Sequence, residues 1–295
     1  MFNNAIVYKL AEMPDGGIIA AEEAMKADEF HPCGSTQEKS VGWIPPRGQE
    51  YGAFIETVHG HHIARLVIET KSVPASELTK AVDAHCAQIE ATTGRKPGKK
   101  ERREIKDDAK LKLLPQAFPK RKEVNVWIDT KTSRVVIDTA SQGVADDVVT
   151  QLVRIGFVLL HINTAQSASS FMHGMLMGDE YSNFTLGREC ELQAYDESKA
   201  RATFKNHPLD GDDVISHIKQ GKSVTKLGLC FDNGSFLLTE GAVLKKIDLN
   251  VPDDMGSQDS DAFDADFFIA SSLLGGLIDN LIESMGGELV IEEDA

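Results

Sequence analysis

The chain has 295 residues, of which 41% are hydrophobic and 26% charged, and these fractions exclude a wholly disordered protein. No run of about 18 apolar residues is found, so no membrane span is predicted. The N-terminal residues lack the basic start and long apolar run of a signal peptide. The four cysteines are scattered without a Cys-x-x-Cys pair, which favours reduced thiols in a cytoplasmic protein.

Charge is unevenly distributed along the chain. The net charge is −15, which by itself argues against a polyanionic partner. Residues 95–134, however, hold 14 basic and 6 acidic side chains, a net of +8, whereas residues 248–295 hold 13 acidic side chains and no basic one. This asymmetry predicts one basic working face on an otherwise acidic body. A pair of solvated charged helices is the alternative, and the basic run alone does not separate the two.

The first 73 residues predict short strands around one helix. Gly and Pro mark a connector with an aromatic anchor at residues 42–48, and β-branched runs on both sides of His59-Gly60 indicate a hairpin. The predicted elements are a strand at 5–10, a helix at 22–30 and the hairpin strands at 53–58 and 62–69.

A helical hairpin is predicted next. After Pro74 the apolar residues recur at helical spacing, with Ser76 as the predicted N-cap and Thr93-Gly94 as the helix end. A second helix is predicted over 99–114, ending before Pro115. Its sequence is strongly basic.

The rest of the chain alternates hairpins and helices irregularly. Asp232-Asn233-Gly234 is a strong tight-turn signal. Because hairpins dominate, we predict an α+β fold with antiparallel β-hairpin sheets and flanking helices rather than a doubly wound α/β fold. The predicted strands are 124–129, 134–139, 157–162, 186–194, 200–205, 223–231, 235–239 and 243–249; the helices are 144–155, 210–220 and 263–285; a linker is predicted at 163–170 and a polar loop at 252–261.

Sequence motifs for nucleotide binding or covalent catalysis are missing. There is no GxGxxG after a strand, no GxxxxGK[ST] and no GxSxG. Gly221-Lys222-Ser223 resembles the end of a phosphate-binding loop, but Ser216 occupies the position of the first glycine. A nucleotide-binding loop is therefore not supported.

Two polar clusters are candidate metal or catalytic sites. In His59-Gly60-His61-His62 the imidazoles are close enough to share an ion, although zinc sites use wider spacing, and a polar hairpin tip is the alternative. Asp129-Thr130-Lys131 at a strand end, with Asp138 across the hairpin, offers the side chains of a Mg²⁺-dependent nuclease. A structural turn accounts for the same residues.

The second helix of the hairpin is the strongest candidate site. Five of its cations, from Lys99 to Lys110, share one helical face, which suits phosphate contacts that read no bases. Phe118 follows in an apolar tip beside three more cations, and is either a core residue or an exposed contact for a partner protomer. The candidate DNA-binding residues here are Arg95, Lys96, Lys99, Lys100, Arg102, Arg103, Lys106 and Lys110.

A set of short motifs stands in order along almost the whole chain. They are Phe30-His31-Pro32-Cys33-Gly34-Ser35, Val41-Gly42-Trp43-Ile44-Pro45-Pro46, Gly94-Arg95-Lys96, Leu113-Leu114-Pro115-Gln116-Ala117-Phe118, Trp127-Ile128-Asp129-Thr130, His217-Ile218 with Gly221-Lys222, Val224-Thr225-Lys226-Leu227, Phe263-Asp264-Ala265-Asp266-Phe267 and Asn280-Leu281-Ile282-Glu283 with Gly286-Gly287-Glu288. The ordered set resembles the RdgC family of recombination-associated proteins. Residues 163–204 resemble that family least.

The resemblance implies a ring-shaped homodimer with a positively lined hole that encircles double-stranded DNA. Binding would have little sequence preference, and it would limit the access of a RecA-type recombinase to its substrate. The family also carries an exonuclease label without an obvious active site. Phe118 matches a phenylalanine that closes one ring contact, and Lys222 matches a DNA-binding lysine. Lys205-Asn206 is the nearest match to a DNA-binding Lys-Gln pair at a strand end.

We therefore predict a non-enzymatic, cytoplasmic, nucleoid-associated homodimer that binds double-stranded DNA, and also single-stranded DNA, without a cofactor or a membrane. The predicted regions are a central one of residues 1–73 and 123–165, a gate-forming basic tip of 74–122 and a base domain of 166–295. The alternative is a metal-dependent exonuclease that uses Asp129, Asp138 and Lys131. A third hypothesis is a module that binds only proteins.

Overall fold

The computed structural model describes residues 2–250 and 260–289. Its architecture is mixed α+β, with antiparallel sheets and flanking helices, so the predicted fold class is confirmed. The chain divides into two compact units: a larger one of residues 1–24, 45–64 and 125–295, and a smaller one of residues 25–44 and 65–124. The three predicted regions are a different division, which stays a prediction.

The described residues form twelve strands and seven α-helices. The strands are β1 (Ile6–Glu12), β2 (Lys39–Ile44), β3 (Ile55–Val58), β4 (His61–Lys71), β5 (Pro119–Asp129), β6 (Arg134–Ile137), β7 (Val158–His161), β8 (Thr185–Ala194), β9 (Arg201–Lys205), β10 (Lys222–Phe231), β11 (Gly234–Thr239) and β12 (Leu244–Leu249). The helices are α1 (Gly17–Ala27), α2 (Ala75–Thr93), α3 (Lys99–Leu113), α4 (Gln142–Arg154), α5 (Ala168–Met177), α6 (Asp212–Lys219) and α7 (Ser260–Ser284).

The smaller unit contains the predicted helical hairpin. Helix α2 begins at Ala75, so its N-cap is Pro74, without a side-chain cap, and the predicted cap Ser76 was wrong. The helix does end where glycine predicts, because Gly94 takes the left-handed conformation (φ 68°) and donates its N–H to Glu90 O. Helix α3 ends in a 3₁₀ turn, Leu114–Gln116.

A small apolar seam holds the two helices of the hairpin together. Val82 of α2 and Ile105 and Ala109 of α3 are buried, with Leu78 and Ile89 packed against them. Because this seam is narrow, most of the surface of α3 is exposed to solvent. Charged side chains can occupy the exposed surface without the cost of burial.

Residues 42–44 continue a strand that the sequence assigned to a connector. Trp43 lies in β2 and is fully buried, and β2 pairs antiparallel with β4 from Lys39↔Thr70 to Ile44↔Arg65. Gly42 is required there, because a Cβ would lie 2.5 Å from Phe30 Cα. Phe30 donates its N–H to Trp43 O at 2.9 Å, so this backbone bridge, not the predicted helix, occupies residues 28–30.

The larger unit contains part of the first sheet and all of the second. Around β6, β1 pairs from Ile6↔Ile137 to Lys9↔Arg134, and β5 pairs from Val126↔Ile137 to Asp129↔Arg134. Strand β7 extends this sheet beside β1, and β3 and β4 form the predicted hairpin. The second sheet has five strands in the order β12-β11-β10-β8-β9.

Helices α5 and α6 pack against β10 of the five-stranded sheet, and α7 contacts β3 of the first sheet. Their buried side chains share one core with Leu192, Leu227 and Leu238 of the strands. Helix α5 was missed, because its polar start suggested a linker at 163–170. Ser167 is instead its N-cap, whose Oγ accepts a hydrogen bond from Ser170 N, and the same small polar residues favour caps and loops alike.

Helix α7 confirms the predicted helix at 263–285. Phe267, Leu274 and Leu277 are buried in the core. The segment Ala262–Ser284 is nevertheless long and apolar enough to cross a membrane by length and composition alone, which corrects the expectation that no such segment exists. The predicted polar loop at 252–261 lies, up to residue 259, outside the described residues.

Candidate nucleic-acid interface

Five of the seven cations of α3 occupy a different face of the helix from its acidic residues. At about 100° per residue, the five cations Lys99, Arg102, Arg103, Lys106 and Lys110 fall within an arc of about 100°. The buried seam at Ile105 and Ala109 borders this arc on one side. The acidic side chains fall outside it, namely Glu101, Glu104, Asp107 and Asp108. The arrangement leaves a continuous basic face, which together with Arg95, Lys96 and Lys100 we call the basic arm.

Some cations of the basic arm are paired within the smaller unit. Arg102 Nη2 lies 2.6 Å from Asp83 Oδ1, and Lys110 Nζ lies 2.7 Å from Glu38 Oε2. The partners of these cations are largely exposed, and such pairs contribute about 0–1 kcal/mol each. A phosphate can therefore replace the carboxylate at little cost. The other two pairs are Arg95–Glu101 at 2.8 Å and Lys96–Glu90 at 3.9 Å.

The remaining cations of the arm are free. Lys99, Lys100, Arg103 and Lys106 are exposed, and within residues 2–250 and 260–289 none of the four forms an ion pair or a side-chain hydrogen bond. Four unpaired cations within eight residues create a local field that attracts anions. This is the most concentrated group of unpaired positive charge that the sequence analysis selected.

Phe118 is exposed, which corrects the alternative that placed it in the core. Its side chain is 91% exposed, directly before β5. Strand β5 starts at Pro119, five residues before the predicted strand at 124–129, so the three cations that follow Phe118 are strand residues. Arg121 places its guanidinium 5.0 Å from the centroid of the Phe30 ring, a cation–π contact.

Lys205 and Asn206 lie at the end of an edge strand of the five-stranded sheet. Lys205 is opposite Glu189 in the pairing of β9 with β8, and its side chain is exposed. Asn206 has a positive φ of 51°, and its carbonyl accepts a hydrogen bond from Arg188 Nη2 at 3.0 Å. Arg188 therefore lies beside the turn that follows Lys205.

Lys222 is the first residue of β10 and lies opposite Ala194 of β8. Its Nζ is 2.8 Å from His217 Nδ1, so the ammonium donates one hydrogen bond to a neutral imidazole and keeps two more donors. Gly221-Lys222-Ser223 follows α6 and leads into β10. It does not precede a helix, so the geometry of a phosphate-binding loop is missing at these residues.

A groove crosses the outward face of the five-stranded sheet. Three adjoining cavities form it: the first, of about 400 Å³, shares Glu189, Lys205 and Lys246 with the second, and the second shares Glu191 and Lys226 with the third. We call this the sheet groove. The cations that line it are Arg188, Arg201, Lys205, Lys226, Lys245 and Lys246.

Most of the sheet groove was not predicted. Of its lining residues, only Lys205 and Asn206 were predicted to bind DNA, on the basis of the family resemblance. The alternation of Arg201, Thr203 and Lys205 along β9 places the three on one face of the strand, and this signal was present in the sequence. Lys245 and Lys246 both line the groove because β12 is irregular at Lys246, where φ is 50°, and they lie near β9 because of the strand order β12-β11-β10-β8-β9; the sequence reveals neither.

The histidine cluster lies at the tip of the hairpin of β3 and β4. The backbone turns at His59, where φ is 49°, and the burial of His61 and of His62 lowers the pKa of each imidazole. His62 Nδ1 lies 2.9 Å from Thr57 Oγ1. Across the described ranges, no group of three or more His, Cys, Asp or Glu side chains is arranged to hold a metal ion.

The alternative nuclease site is not assembled. Asp129 lies opposite Arg134, whereas Asp138 donates its N–H to Asn125 O, four residues back along β5. At about 3.4 Å per residue the two aspartates are about 14 Å apart, too far to share an ion. Asp129 Oδ1 instead accepts the backbone N–H of Lys131, and its Oδ2 the hydroxyl of Thr132, which is the predicted structural turn.

Asp138 also has a structural role. Its Oδ1 accepts the backbone N–H groups of Asn3 and Asn4, each at 3.2 Å. Burial raises the pKa of this carboxyl, although these two hydrogen bonds act in the opposite direction. The aspartate thus ties the start of β1 to the end of β6.

Comparison with known proteins gives a consistent result. Residues 1–288 match the family model described as "Putative exonuclease, RdgC". The chain is 34% identical over 298 residues to "Recombination-associated protein RdgC" of Cupriavidus necator, and 33% identical over 305 residues to the protein of that name from Bordetella pertussis; each alignment covers 97% of this chain and 98% of the relative. The protein of that name from Herminiimonas arsenicoxydans is 32% identical over 301 residues.

These alignments define the class as that of recombination-associated proteins. The chain belongs to the RdgC family, and the resemblance stated from its ordered motifs is confirmed.

Proposed function

We propose that this chain binds double-stranded DNA through its phosphate backbone, without sequence preference. The observation that carries the proposal is the basic arm, where Lys99, Arg103 and Lys106 on the basic face of α3, and Lys100 beside it, are exposed and unpaired among the described residues. Long cationic side chains on an exposed helix face suit phosphates, and phosphate contacts carry no sequence information. Binding would be driven by the release of counterions from the DNA.

We propose further that the protein acts as a ring-shaped homodimer. The acidic body with its concentrated basic arm supports this, because two-fold symmetry would double the arm and give about +16 across two copies of residues 95–134. An acidic exterior would repel stray DNA while a basic hole attracts it. The predicted division into a central region, a gate-forming tip and a base domain belongs to this proposal.

Phe118 is the proposed ring contact. A phenylalanine ring that is 91% exposed in the single chain gains about 1.5–3 kcal/mol when a partner covers it fully. Such a contact is strong enough to bias a ring toward closure and weak enough to open. Lys205, Asn206 and Lys222 would contact DNA from the larger unit.

Occupation of DNA would limit a RecA-type recombinase. The relatives are named recombination-associated proteins, and a protein that encircles DNA would compete for the substrate without touching the recombinase. The proposed place of action is the cytoplasm, with the nucleoid. Single-stranded DNA is a further proposed ligand, bound by the same phosphate contacts.

The decisive experiment measures the affinity for a duplex of random sequence as a function of salt, with Mg²⁺ and with a chelator, while following DNA length. We expect log K to fall linearly with log salt at about 0.9 per phosphate neutralised, with equal affinity for unrelated sequences and with intact DNA. A single-stranded oligonucleotide is the parallel ligand, with a slope of about 0.7 per contact.

Other outcomes decide between the hypotheses. DNA that shortens only with Mg²⁺ would establish the exonuclease alternative that the family description names. If the protein binds no DNA at any salt concentration, the hypothesis of a module that binds only proteins is favoured. Exclusion of a recombinase from DNA in proportion to occupancy is expected only if the DNA-binding proposal is correct.

A further inference from the structure

Three carboxylates, Glu189, Glu191 and Glu240, line the sheet groove, and the first two each hold one of its cations. Glu191 Oε2 is 3.0 Å from Lys226 Nζ, and Glu189 Oε2 is 2.6 Å from Lys246 Nζ. Both glutamates belong to β8 and are two residues apart, so they point to the same face of the sheet. Of the six groove cations, these two lysines are therefore already neutralised.

Two other lysines of the groove are free. Lys205 and Lys245 form no ion pair or side-chain hydrogen bond with any residue in the described ranges. Lys205 lies directly opposite Glu189 on the neighbouring strand, yet Glu189 is paired with Lys246 and not with Lys205. The groove thus contains two kinds of lysine, paired and unpaired, on one continuous surface.

Glu191 is the more firmly held of the two carboxylates. Its side chain is 15% exposed against 31% for Glu189, and its Oε1 accepts a hydrogen bond from Thr225 Oγ1 at 2.9 Å. Burial raises the pKa of Glu191, but the hydrogen bonds from Lys226 and Thr225 outweigh burial and hold the pKa below its ordinary value. The carboxylate is ionised at neutral pH.

We propose that Glu191 and Glu189 compete with the DNA backbone for the sheet groove: each carboxylate occupies a lysine ammonium that a phosphate would otherwise contact. This inference rests on the proposed DNA binding and adds a restraint on its strength. A phosphate at Lys226 must displace Glu191 or remain close to its negative charge. The groove therefore binds DNA more weakly than its six cations suggest, which lets a duplex move along it.

If the two glutamates compete with DNA, removal of their negative charges should strengthen DNA binding. In the double variant Glu189→Gln/Glu191→Gln, the new amide oxygen at position 191 would still accept the hydroxyl of Thr225, and Lys226 and Lys246 would be available to neutralise phosphates and so release further counterions from the DNA. We expect affinity for a 20-base-pair duplex to rise about three- to tenfold at about 0.1 M salt, with a slope steeper by about one to two units. Glu23→Gln is the control, since Glu23 is exposed on α1 and unpaired within the described residues.

A coupling experiment separates competition from a general charge effect. In the wild type, Lys226→Met should change affinity less than twofold, because Glu191 neutralises Lys226. In the Glu191→Gln background the same change should weaken binding by about fivefold. Lys245→Met should weaken binding by a similar factor in both backgrounds, since Lys245 has no carboxylate partner among the described residues. Urea denaturation of each variant identifies a loss of fold.

The outcomes for the inference and for the proposed function are distinct. If the wild type binds DNA and the double variant binds no tighter, or if Lys226→Met is equally harmful in both backgrounds, the competition is refuted while DNA binding stands. If neither the wild type nor the double variant binds DNA at low salt, both proposals fail together.

Discussion

The basic arm and the sheet groove are two cationic surfaces built in opposite ways. On α3 the helical period sends the acidic residues to a different face, so Lys99, Arg103 and Lys106 remain unpaired among the described residues. In the groove, β8 inserts Glu189 and Glu191 on the same face as the lysines, and each glutamate forms an ion pair there. Each surface has four cations without an ion pair among the described residues, but the carboxylates stand outside the basic face of α3 and inside the groove. Local charge counts therefore do not rank such surfaces, whereas the position of each carboxylate does.

The largest effect should come from the unpaired cations of the arm. In the triple variant Lys99→Ala/Arg103→Ala/Lys106→Ala we expect duplex affinity to fall about 100-fold at about 0.1 M salt. The slope of log K against log salt should become shallower by about three units, because three phosphate contacts are lost. Fluorescence anisotropy across a salt series measures both quantities.

The control for the arm is Lys80→Ala, which removes an exposed cation of α2 that is paired with Glu77 at 2.9 Å. Its affinity should stay within twofold of the wild type. If the triple variant keeps the wild-type slope, the arm is a solvated face and does not contact DNA.

Phe118→Ala should have the next largest effect, and it depends on DNA topology. Loss of the exposed ring would weaken closure, so retention on closed circular DNA after a salt challenge should fall about tenfold, whereas affinity for a short linear duplex should change little. A gel-based comparison of the two DNA forms measures this. Leu111→Ala, which removes a half-exposed apolar side chain of the smaller unit, is the matched control. Equal losses on both DNA forms would contradict the gate.

The arm was predictable from the sequence, and the groove was not. The cations of α3 share a face because a helix repeats every 3.6 residues, and this period is visible in the sequence itself. The groove requires β12 and β9 at opposite edges of one sheet, and strand order depends on contacts far apart in the chain. Helix α5 was missed for a different reason, since Ser167 at a helix N-cap and serine in a linker look alike.

The register of β5 and β6 separates the aspartates of the predicted nuclease site. The hairpin of β5 and β6 was predicted, and Asp138 was placed across it from Asp129. The turn at residues 130–133 instead pairs Asp129 with Arg134, which moves Asp138 to the far end of the hairpin. A register follows from the turn length once that length is known, so this distance was within reach of the sequence.

Lys222→Ala should have a smaller effect than either change above, because it removes a single cation. We expect affinity to fall about three- to tenfold for every duplex sequence, with the slope shallower by about one unit. The half-buried lysine donates to His217 Nδ1, so His217→Ala tests whether orientation matters and should cost less than the loss of the charge. An unchanged slope in Lys222→Ala would remove this residue from the interface.

Asp129→Ala should affect stability and leave DNA binding unchanged. The buried carboxylate accepts hydrogen bonds from Lys131 N and Thr132 Oγ1 at 3.0 and 2.8 Å, and their loss should lower the free energy of unfolding by about 1–3 kcal/mol. Urea denaturation measures this cost, and Asp129→Asn should recover part of it. A wild-type cleavage of DNA that disappears in Asp129→Asn would restore the catalytic hypothesis.

The smallest expected effect is a difference in reactivity between two cysteines, one in each unit. Cys190 lies in β8 on the buried side of the sheet, and burial raises the pKa of its thiol to about 12; Cys86 is half-buried on α2 of the hairpin. Since the thiolate is the reactive form, iodoacetamide at about pH 8 should label Cys86 within minutes and leave Cys190 unlabelled until urea is added. The raised pKa also fixes a sign: the unfolded thiol ionises near pH 9 while the folded one does not, so the stability contributed at neutral pH is lost as the pH rises from about 9 to about 12. Mass spectrometry of the labelled peptides measures which cysteines react. Rapid labelling of Cys190 in the native protein would mean that the five-stranded sheet beneath the groove opens. The comparison of the arm with the groove requires this sheet to be rigid.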